Sequence, residues 1–529
     1  MATAVKQMAD MDIAPDMAQK TVSLSGAAAQ AALAEWLLNQ LDQPVSPGQE
    51  PAAYDYQAGA PDTAVRVFRV PHIRTLTGGQ ELENAIRTIA GTSRELLWGV
   101  RLVVRGTTDQ VALAEWLVKQ LDEPSSASQE AAYDFQAGAP DTAVRVIRLA
   151  PIGTEQDFLE TFYTIRWVEG VDRISSFSAQ RALIVRGTTD QVALTEWLVN
   201  QLDHPAPRSH QPAVYDQAGT PEPAVRVFGL AEIDTKEGFE EITGAMRTIG
   251  ESYRTYICKA QRALVMRGTA DQAALAEWLL NQLDQPVPPG HGPAVYDYRA
   301  GNRESAVRVF RLAQNDTPQD FQEVADAIRT VGSVSRLLVY NAQAVVMRGT
   351  ADQAALAEWL VNELDRPAPP SHQVAAYDYQ AGVVGVWAYT AVRVFHLAHI
   401  ETLRDLQETN AAIRTMADAQ ACLVASKRAV AMRVTAEAAA VAEWLANELD
   451  QPAGVPRDAA MPVPGSGEVV HIFPLANPLT GPQFEAINTP ARRTLNISRI
   501  FFLQNAVLVR GTPDQIAGAG QLIREAVKP

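Results

Sequence analysis

Hydrophobic and polar positions repeat in one fixed order along this chain. The run VRVFRV from Val65 is rich in β-branched and aromatic residues and predicts a strand. Apolar residues at helical spacing between Leu82 and Ile89 predict a helix, and the runs RELLWGV and RLVVRG predict two further strands. A second apolar stripe between Thr107 and Pro124 predicts a second helix. The predicted order is therefore strand, helix, strand, strand, helix.

Capping signals mark the ends of both helices. Thr107 with Gln110 forms a capping box for the second helix, and Pro124 stops it. The first helix has an N-cap threonine in five places: Thr75, Thr154, Thr235, Thr317 and Thr402.

The tryptophan of the second helix marks the period of the pattern. It stands at Trp36, Trp116, Trp197, Trp278, Trp359 and Trp444, at spacings of 80, 81, 81, 81 and 85 residues. The string RGTTDQVALAEWLVKQLDEP from Arg105 returns with small changes from Arg186, Arg267 and Arg348, and more loosely from Arg433 and Arg510. A catalytic site is normally written once, whereas a motif written about seven times indicates architecture.

The repeat predicts an α+β fold: a tandem array of small β-α-β-β-α modules, each a three-stranded sheet with two helices on one face. We expect a truncated repeat over residues 1–44 and six modules over 65–124, 144–205, 225–286, 307–367, 392–452 and 468–529, joined by Pro- and Ala-rich linkers. Residues 4–26 align without a gap on residues 412–434, so the chain starts inside the first helix of a unit. We therefore expect that Met1 is not the natural start and that a missing upstream part carried an export signal.

Each of the first five linkers carries an aromatic–acidic knot. The knots are Tyr54-Asp55-Tyr56, Tyr133-Asp134-Phe135, Tyr215-Asp216, Tyr296-Asp297-Tyr298 and Tyr377-Asp378-Tyr379. A free spacer has no need of repeated aromatic residues. We expect these segments to dock as a short strand or plug on a neighbouring domain, in cis or between chains. The alternative role for these candidate contacts is binding of a ligand or partner.

The unit resembles the periplasmic N-terminal repeat domain of secretins, the outer-membrane channels of type II and type III secretion and of type IV pili. The residues that carry the resemblance are VRVFRL from Val307 and RALIVRGTTDQVALTEWLVNQLDHP from Arg181. The resemblance implies a strand-helix-strand-strand-helix domain without catalytic residues, whose copies pack side by side into stacked rings. The chain departs from the family in having no channel domain and six near-identical modules, so we expect that it does not form the pore itself.

Composition and charge oppose several functions. The chain of 529 residues is 47% hydrophobic and 20% charged, which is typical of a globular protein. Its net charge of −16 opposes binding to nucleic acid or to an anionic membrane, and no apolar run approaches the roughly 18 residues of a membrane span. An RNA-binding KH domain is similar in size, but no unit has its G-x-x-G loop. We expect partners to be further copies of this chain or other envelope proteins, with no nucleic acid and no direct membrane insertion.

Residue types with catalytic or ligand chemistry do not form a recognisable site. No H-E-x-x-H or Cys-x-x-Cys motif occurs, and Cys258 and Cys422 lie far apart, so neither a disulfide nor a zinc site is indicated. We expect no catalytic residue, no cofactor and no metal, and we do not expect an enzyme. Surface or loop positions are expected for the histidines: His72, His204, His210, His291, His372, His396, His399 and His471.

A glutamate stands beside each helix tryptophan. No second carboxylate recurs within one helical turn to form an acid–base pair, so we expect a salt bridge to a recurring arginine such as Arg87 or Arg105. The tryptophans themselves are expected in the core of their units, with anchoring of one domain on the next as the alternative. The glutamates are Glu35, Glu115, Glu196, Glu277, Glu358 and Glu443.

Together these patterns predict a non-enzymatic structural protein that self-associates through its modules into rings, stacks or fibres in a bacterial envelope. One alternative is a soluble multivalent adaptor that binds other proteins without self-assembly, and another is an envelope enzyme whose site does not show in one sequence. The first twenty residues lack the apolar stretch of a signal peptide. The expected location is therefore the periplasm, the cell envelope or the outside, given a missing export signal, and the cytoplasm if Met1 is the true start.

Overall fold

A computed structural model describes residues 2–16, 21–43, 50–56, 62–92, 94–123, 131–135, 140–150, 153–285, 293–297, 306–313, 317–367, 371–378, 391–452 and 456–528. The chain forms two compact units. The first unit is Met1–Thr243 with Ser252–Asp284, and the second is Gly244–Glu251 with Gln285–Pro529. We use "module" for the six ranges given above, each with the linker strand that precedes it.

The truncated repeat contains the helices α1 (Ala2–Ala9) and α2 (Ala28–Asp42) and the antiparallel strands β1 (Asp12–Asp16) and β2 (Thr21–Ser25).

The strands of the six modules fall into four classes. The linker strands are β3 (Ala52–Asp55), β7 (Ala131–Asp134), β11 (Ala213–Asp216), β15 (Ala294–Asp297), β19 (Gln373–Asp378) and β23 (Ala459–Pro462). The first strands are β4 (Ala64–Arg69), β8 (Ala143–Arg148), β12 (Ala224–Gly229), β16 (Ala306–Phe310), β20 (Ala391–His396) and β24 (Val469–Pro474). The second strands are β5 (Arg94–Trp98), β9 (Ile174–Phe177), β13 (Arg254–Cys258), β17 (Arg336–Tyr340), β21 (Gln420–Val424) and β25 (Arg499–Phe502). The third strands are β6 (Arg101–Gly106), β10 (Ala182–Gly187), β14 (Ala263–Gly268), β18 (Ala344–Gly349), β22 (Ala429–Val434) and β26 (Ala506–Gly511).

Each module also has a first and a second helix. The first helices are α3 (Leu76–Ala85, continued by a π-helical turn at Ile86–Ala90), α5 (Glu155–Glu169), α7 (Lys236–Thr248), α9 (Pro318–Val331), α11 (Leu403–Ala417) and α13 (Gly481–Arg493). The second helices are α4 (Thr108–Asp122), α6 (Thr189–Leu202), α8 (Ala270–Leu283), α10 (Ala351–Leu364), α12 (Ala436–Leu449) and α14 (Pro513–Ala526).

The α+β class is confirmed, but the sheets have a fourth strand. In all six described module sheets the order is linker strand, first strand, third strand, second strand, and neighbouring strands are antiparallel. In module 1 the linker strand places Tyr54 opposite Val65 on β4. The expected three-stranded sheet is therefore wrong, because the linker adds a fourth strand at its edge. Along β3 the residues alternate between half-buried and exposed, which is typical of a strand at a sheet edge.

The two helices of a module are positioned by hydrogen bonds that the sequence signals. Thr107 accepts from the N–H of Gln110, and the Gln110 amide oxygen accepts from the N–H of Thr107, which completes the capping box. At the other end of this helix the buried Asp122 accepts from the backbone N–H groups of His72 and Ile73. The aspartate of the L-D-x-P motif thereby fixes the turn that leads into the first helix.

Within each compact unit the modules share cores, because the two faces of a sheet pack on different helices. On β10, Leu183 and Val185 pack with the helices of module 2, while Ala182 and Ile184 join the core of module 1. In the second unit, Ala506 and Leu508 of β26 join the core of module 5, and Val507 and Val509 pack on module 6's own helices. Inside each compact unit, sheets and helix layers therefore alternate, which is the nearest-neighbour packing that repeat proteins use.

Candidate functional site

The junctions between successive modules are built around a buried arginine, the first residue of the R-G-T string. We call it the clasp arginine. In the first unit Arg186 Nη1 donates to Ile89 O at 2.9 Å, and Arg267 Nη1 donates to Glu169 O at 3.0 Å. Each carbonyl lies at the C-terminal end of the preceding module's first helix, where backbone acceptors lack helical partners and the helix dipole favours a cation.

The same contact occurs at the front of the first unit and inside the second unit. Arg105 donates to Met8 O at 2.7 Å, and Met8 corresponds to Met416 in the gapless alignment of the truncated repeat. Arg348 donates to Ile249 O at 2.9 Å, and Arg510 donates to Met416 O at 2.6 Å. Arg433 donates to the Ser333 side chain at 3.0 Å.

The groups that support the clasp arginine differ from one junction to the next. The guanidinium of Arg186 lies 3.7 Å from the centre of the Phe135 ring, and that of Arg105 lies 4.5 Å from the centre of the Tyr56 ring. Arg186 also forms a 3.3 Å ion pair with Asp141. Cation–π and ionic contacts of this kind keep a desolvated guanidinium charged at its place.

Burial sets the electrostatics of these arginines. Arg186 is 3% exposed, and loss of solvent lowers its pKa, with a further lowering from Arg173 that Asp141 opposes. The pKa of Arg267 is lowered in the same way by burial and then by Arg254. Without the backbone carbonyl and the acidic side chain that contact it, an arginine buried to this extent would be an uncompensated charge in the core.

The helix tryptophans complete the junctions. The Trp116 ring lies 5.4 Å from Tyr133 on the next module's linker strand, and the Trp197 ring lies 5.4 Å from Tyr215. Trp36 with Tyr54 at 5.2 Å and Trp359 with Tyr377 at 5.4 Å repeat the contact. These described tryptophans are half-buried and pack against the core that contains their own helices, and they also contact the next module's linker tyrosine. Both expected roles, core residue and anchor, are therefore present.

A carboxylate on the first helix binds the next module's turn between second and third strands. Glu81 accepts from the backbone N–H of Ser178 at 2.9 Å and from its hydroxyl at 2.6 Å. Glu160 accepts from the N–H of Lys259 at 2.9 Å, and Glu323 accepts from the N–H of Ser426 at 2.9 Å. A charged acceptor on a turn N–H makes a strong, direction-specific hydrogen bond.

The remaining knot residues have partners beside them. Four exposed aspartates pair with an arginine on the adjacent first strand: Asp55 with Arg66, Asp216 with Arg226, Asp297 with Arg308 and Asp378 with Arg393. Asp134 and Tyr296 lie on linker strands β7 and β15, the aspartate exposed and the tyrosine half-buried. Tyr56 and Phe135 lie beneath clasp arginines, whereas Tyr298 and Tyr379 lie outside the described residues.

Two expectations about charged and polar side chains need correction. The expected salt bridge to a recurring arginine is present for two of the glutamates beside the tryptophans, but the arginine lies on the first strand and is not Arg87 or Arg105: Glu196 binds Arg145 at 3.2 Å and Glu443 binds Arg393 at 2.7 Å. His396 is 6% exposed, and burial lowers its pKa, with Arg366 and His372 adding to the effect. His210 and His372 are half-buried linker residues that contact Asp284 and Asp450.

The junction between modules 2 and 3 contains a buried carboxylate. Glu169 is 4% exposed, its Oε2 accepts from the Thr195 hydroxyl, and its other oxygen has no hydrogen-bond partner among the described residues. Burial raises the pKa of Glu169 to about 8, against lowering by the Thr195 hydrogen bond and by Arg267. Nearby, Cys258 Sγ contacts Thr164 Oγ1 at 3.2 Å, and burial raises the pKa of this thiol to about 12.

The described part of the chain offers no grouping of three His, Cys, Asp or Glu side chains that could hold a metal ion. None of its helices is both long and apolar enough to cross a membrane. What recurs is the set of junction contacts, and their chemistry is that of joining modules. The clasp arginine and the helix carboxylate were not predicted from the sequence, although both recur at fixed places in the repeat.

No family model and no curated protein matches this chain. Solved structures with similarity include Aeromonas hydrophila ExeD, at 15% identity and a TM-score of 0.10, over 42% of this chain and 40% of that one. Another is the structure of XcpQN012, at 14% identity and a TM-score of 0.15, over 45% of this chain and 100% of that one. The cryo-EM structure of the ETEC pilotin–secretin AspS–GspD complex matches at 12% identity and a TM-score of 0.11, over 62% and 67%. The chain thus spans 40% of the length of the matched ExeD, and these low TM-scores leave the secretin resemblance a prediction from the sequence.

Proposed function

We propose that this chain is a non-enzymatic structural scaffold whose stacked modules associate side by side with further copies into rings, stacks or fibres. The observation that carries the proposal is the repeated junction, in which a clasp arginine, a Trp–Tyr contact and a helix carboxylate join one module to the next. Junctions of this kind turn a series of small domains into stiff units with repeated outer surfaces. Repeated surfaces multiply weak contacts through effective concentration.

We propose the knots as interdomain contacts within this scaffold. Four of their tyrosines lie against the preceding tryptophans, and four of their aspartates pair with an arginine on the adjacent strand. The proposed location is the periplasm or cell envelope, and the proposed partners are copies of this chain or other envelope proteins. The secretin-like pattern of the repeat supports this location.

A soluble adaptor is the second candidate, and one observation favours it. On α5 the side chains of Trp167 and Tyr163 are 57% and 49% exposed, and Trp167 stacks on Tyr256 at 6.4 Å. The other modules have Thr or Arg in the place of Trp167: Thr88, Thr248, Thr330, Thr415 and Arg493. One aromatic patch found on a single module suits one specific protein partner better than a repeated self-contact.

Light scattering across a wide concentration range, with negative-stain images of the same fractions, separates the two candidates. Concentration-dependent masses many times 57.4 kDa, with ordered particles in the images, are expected for the scaffold. A monomer of 57.4 kDa at every concentration would refute self-association of this chain. The W167A variant is the matched control, because it removes the exposed tryptophan of the patch and its stacking on Tyr256 but leaves the clasp arginines, the Trp–Tyr contacts and the helix carboxylates in place. We expect it to assemble like the parent chain, whereas loss of assembly in W167A alone would assign self-contact to the patch.

A further inference from the structure

The outward helical face of module 6 lacks the residues with which the preceding modules hold their neighbours. The first difference is the helix carboxylate. Glu81, Glu160 and Glu323 accept hydrogen bonds from the next module's turn and are half-buried. Alignment of the first helices from their N-cap threonines puts Ala486 at this position in module 6, and Ala486 is exposed. An alanine offers no acceptor to a turn N–H.

The second difference is the anchoring tryptophan. Alignment of the R-G-T strings from Arg105 and Arg510 puts Gln521 where Trp116 stands. Trp116 packs on the next module's linker tyrosine, whereas Gln521 is exposed and pairs with Glu525 on its own helix at 2.9 Å. The large apolar contact that holds a following linker strand is therefore absent from this face.

The third difference is a proline in the first helix. At the tenth residue after the N-cap, modules 1 to 5 have the buried small residues Ala85, Thr164, Ala245, Ala327 and Ala412. Thr164 touches Cys258 on the next module's second strand, so this is where a strand approaches the helix. Module 6 has Pro490 there, inside α13 and half-buried. A proline ring takes up space that the small residues leave for the strand.

We infer that the helical face of module 6 is a cap that does not accept the sheet of another module, so that copies of this chain do not join end to end through it. Terminal repeats with a polar outer face have this role in stacked repeat proteins. The inference goes beyond the proposed function, because it concerns the helical face of module 6 alone and holds whether the other surfaces bind copies of this chain or other proteins.

The truncated repeat of a second copy offers no sheet that matches the helical face of module 6. On β22 the residues that face the preceding module are Ala429, Ala431 and Arg433, the first two in the core of module 4. The aligned residues of β2 in the truncated repeat are Thr21, Ser23 and Ser25, and all three are exposed. This face has neither the apolar side chains nor the clasp arginine with which a sheet binds a helix layer.

Engineered disulfides in the full chain test the cap. Oxidation of the A486C/S23C variant is expected to give no covalent multimers beyond those of the parent chain, because the two end faces do not meet. The matched control is E81C/S178C, whose two positions touch across the first junction and are expected to form a bond within one chain. A ladder of covalent multimers in A486C/S23C, absent from each single variant, would overturn the inference.

Restoring the missing residues provides a gain-of-function arm. A chain carrying A486E, P490A and Q521W on module 6, with T21A, S23V and S25R on the truncated repeat, is expected to elongate end to end. Its weight-average mass should rise at least twofold over the parent at equal concentration, with longer particles in negative stain. Circular dichroism and the melting temperature report whether the redesigned chain is folded. A folded redesigned chain that keeps the parent's mass and particle length would overturn the inference. If the redesigned chain does not fold, the disulfide experiment with A486C/S23C tests the inference by itself.

Discussion

The junction between modules 1 and 2 (junction 1–2) and that between modules 2 and 3 (junction 2–3) share three contacts, and the most deeply buried difference between them is one pair of side chains. The clasp distance is 2.9 Å at junction 1–2 and 3.0 Å at junction 2–3, the Trp–Tyr distance is 5.4 Å in both, and a helix carboxylate binds a turn N–H at 2.9 Å in both. At junction 2–3, however, the helix ends in Glu169 beside Thr195. The aligned residues at junction 1–2 are Ala90 and Ala114, both buried.

This difference shows which parts of a junction are free to change. The clasp and the turn contact use backbone carbonyl and N–H groups, which are present whatever side chain the position carries. Side chains around them vary in compensating sets: Phe135 stacks on Arg186, whereas Gln217 accepts from Arg267 at 3.0 Å. Thr195 likewise supplies the hydroxyl that Glu169 needs, because a buried carboxylate without a hydrogen-bond donor is costly.

Removing either clasp arginine is expected to have the largest effect. R186M and R267M each leave a helix-end carbonyl unpaired in the core, and we expect each to lower the free energy of unfolding by about 3 kcal/mol. Urea unfolding measures the loss. Labelling of Cys258 in native protein, in a C422S background, locates it: R267M should speed labelling and R186M should not. R166M, at an exposed arginine on α5, is the control with little expected change. Equal labelling in all three variants would contradict the assignment.

The pH dependence of the two junctions is expected to differ next most. The folded pKa of Glu169 is about 8 against an ordinary value of 4.5, because burial favours the neutral acid. The contribution of neutral Glu169 to the free energy of unfolding is therefore fully present below about pH 4.5 and is lost as pH rises through 8. We expect junction 2–3 to weaken by about 2 kcal/mol between pH 5 and pH 6.5, since each pH unit between the two pKa values corresponds to about 1.4 kcal/mol.

Hydrogen exchange of β9 and β13, corrected for the intrinsic pH dependence of exchange, compares the two junctions. Protection of β13 should fall with rising pH and that of β9 should not. The E169A/T195A variant copies the alanine pair of junction 1–2 and should remove the difference. Persistence of the pH effect in that variant would show that another group titrates.

The helix carboxylates should separate the junctions by a smaller amount. Glu81 binds both the N–H and the hydroxyl of Ser178, whereas Glu160 binds the N–H of Lys259 and lies 3.9 Å from its ammonium. We expect E81A to lower the free energy of unfolding by about 1.5 kcal/mol and E160A by about 1 kcal/mol. The control is the single variant E83A. Glu83 accepts a hydrogen bond from the Leu97 N–H within its own module, so E83A measures the loss of a helix carboxylate that does not bind the next module. A larger loss for E160A than for E81A would reverse the ranking.

The smallest expected effect comes from the ring beneath Arg186. F135L keeps an apolar side chain and removes the cation–π contact, so we expect a loss of about 0.5–1 kcal/mol. The double variant R186M/F135L tests coupling, and the two losses should add to less than their sum. Strict additivity would mean that the 3.7 Å approach of guanidinium and ring contributes nothing.

The sequence contains one further sign of these junctions, in the third strands, on which no prediction was based. The third strands carry unbroken apolar runs such as ALIV and ALVM in place of an alternating pattern. Such runs are typical of strands buried on both faces. They indicated that a second helix layer covers each sheet, which the prediction of two helices on one face left out.

Local patterns in the sequence were sufficient to predict the order of elements, the helix caps and the period, because these depend on groups only a few residues apart. Thr107 and Gln110, for example, are three residues apart and form their capping box locally. Packing of the folded modules was needed to reveal the fourth strand, the shared cores and the contacts of the clasp arginine. Arg186 and Ile89 are 97 residues apart, and the accepting group is a backbone carbonyl that any residue would provide. Such a contact leaves no residue type to recognise on the accepting side, so only packing one module on the next could reveal it.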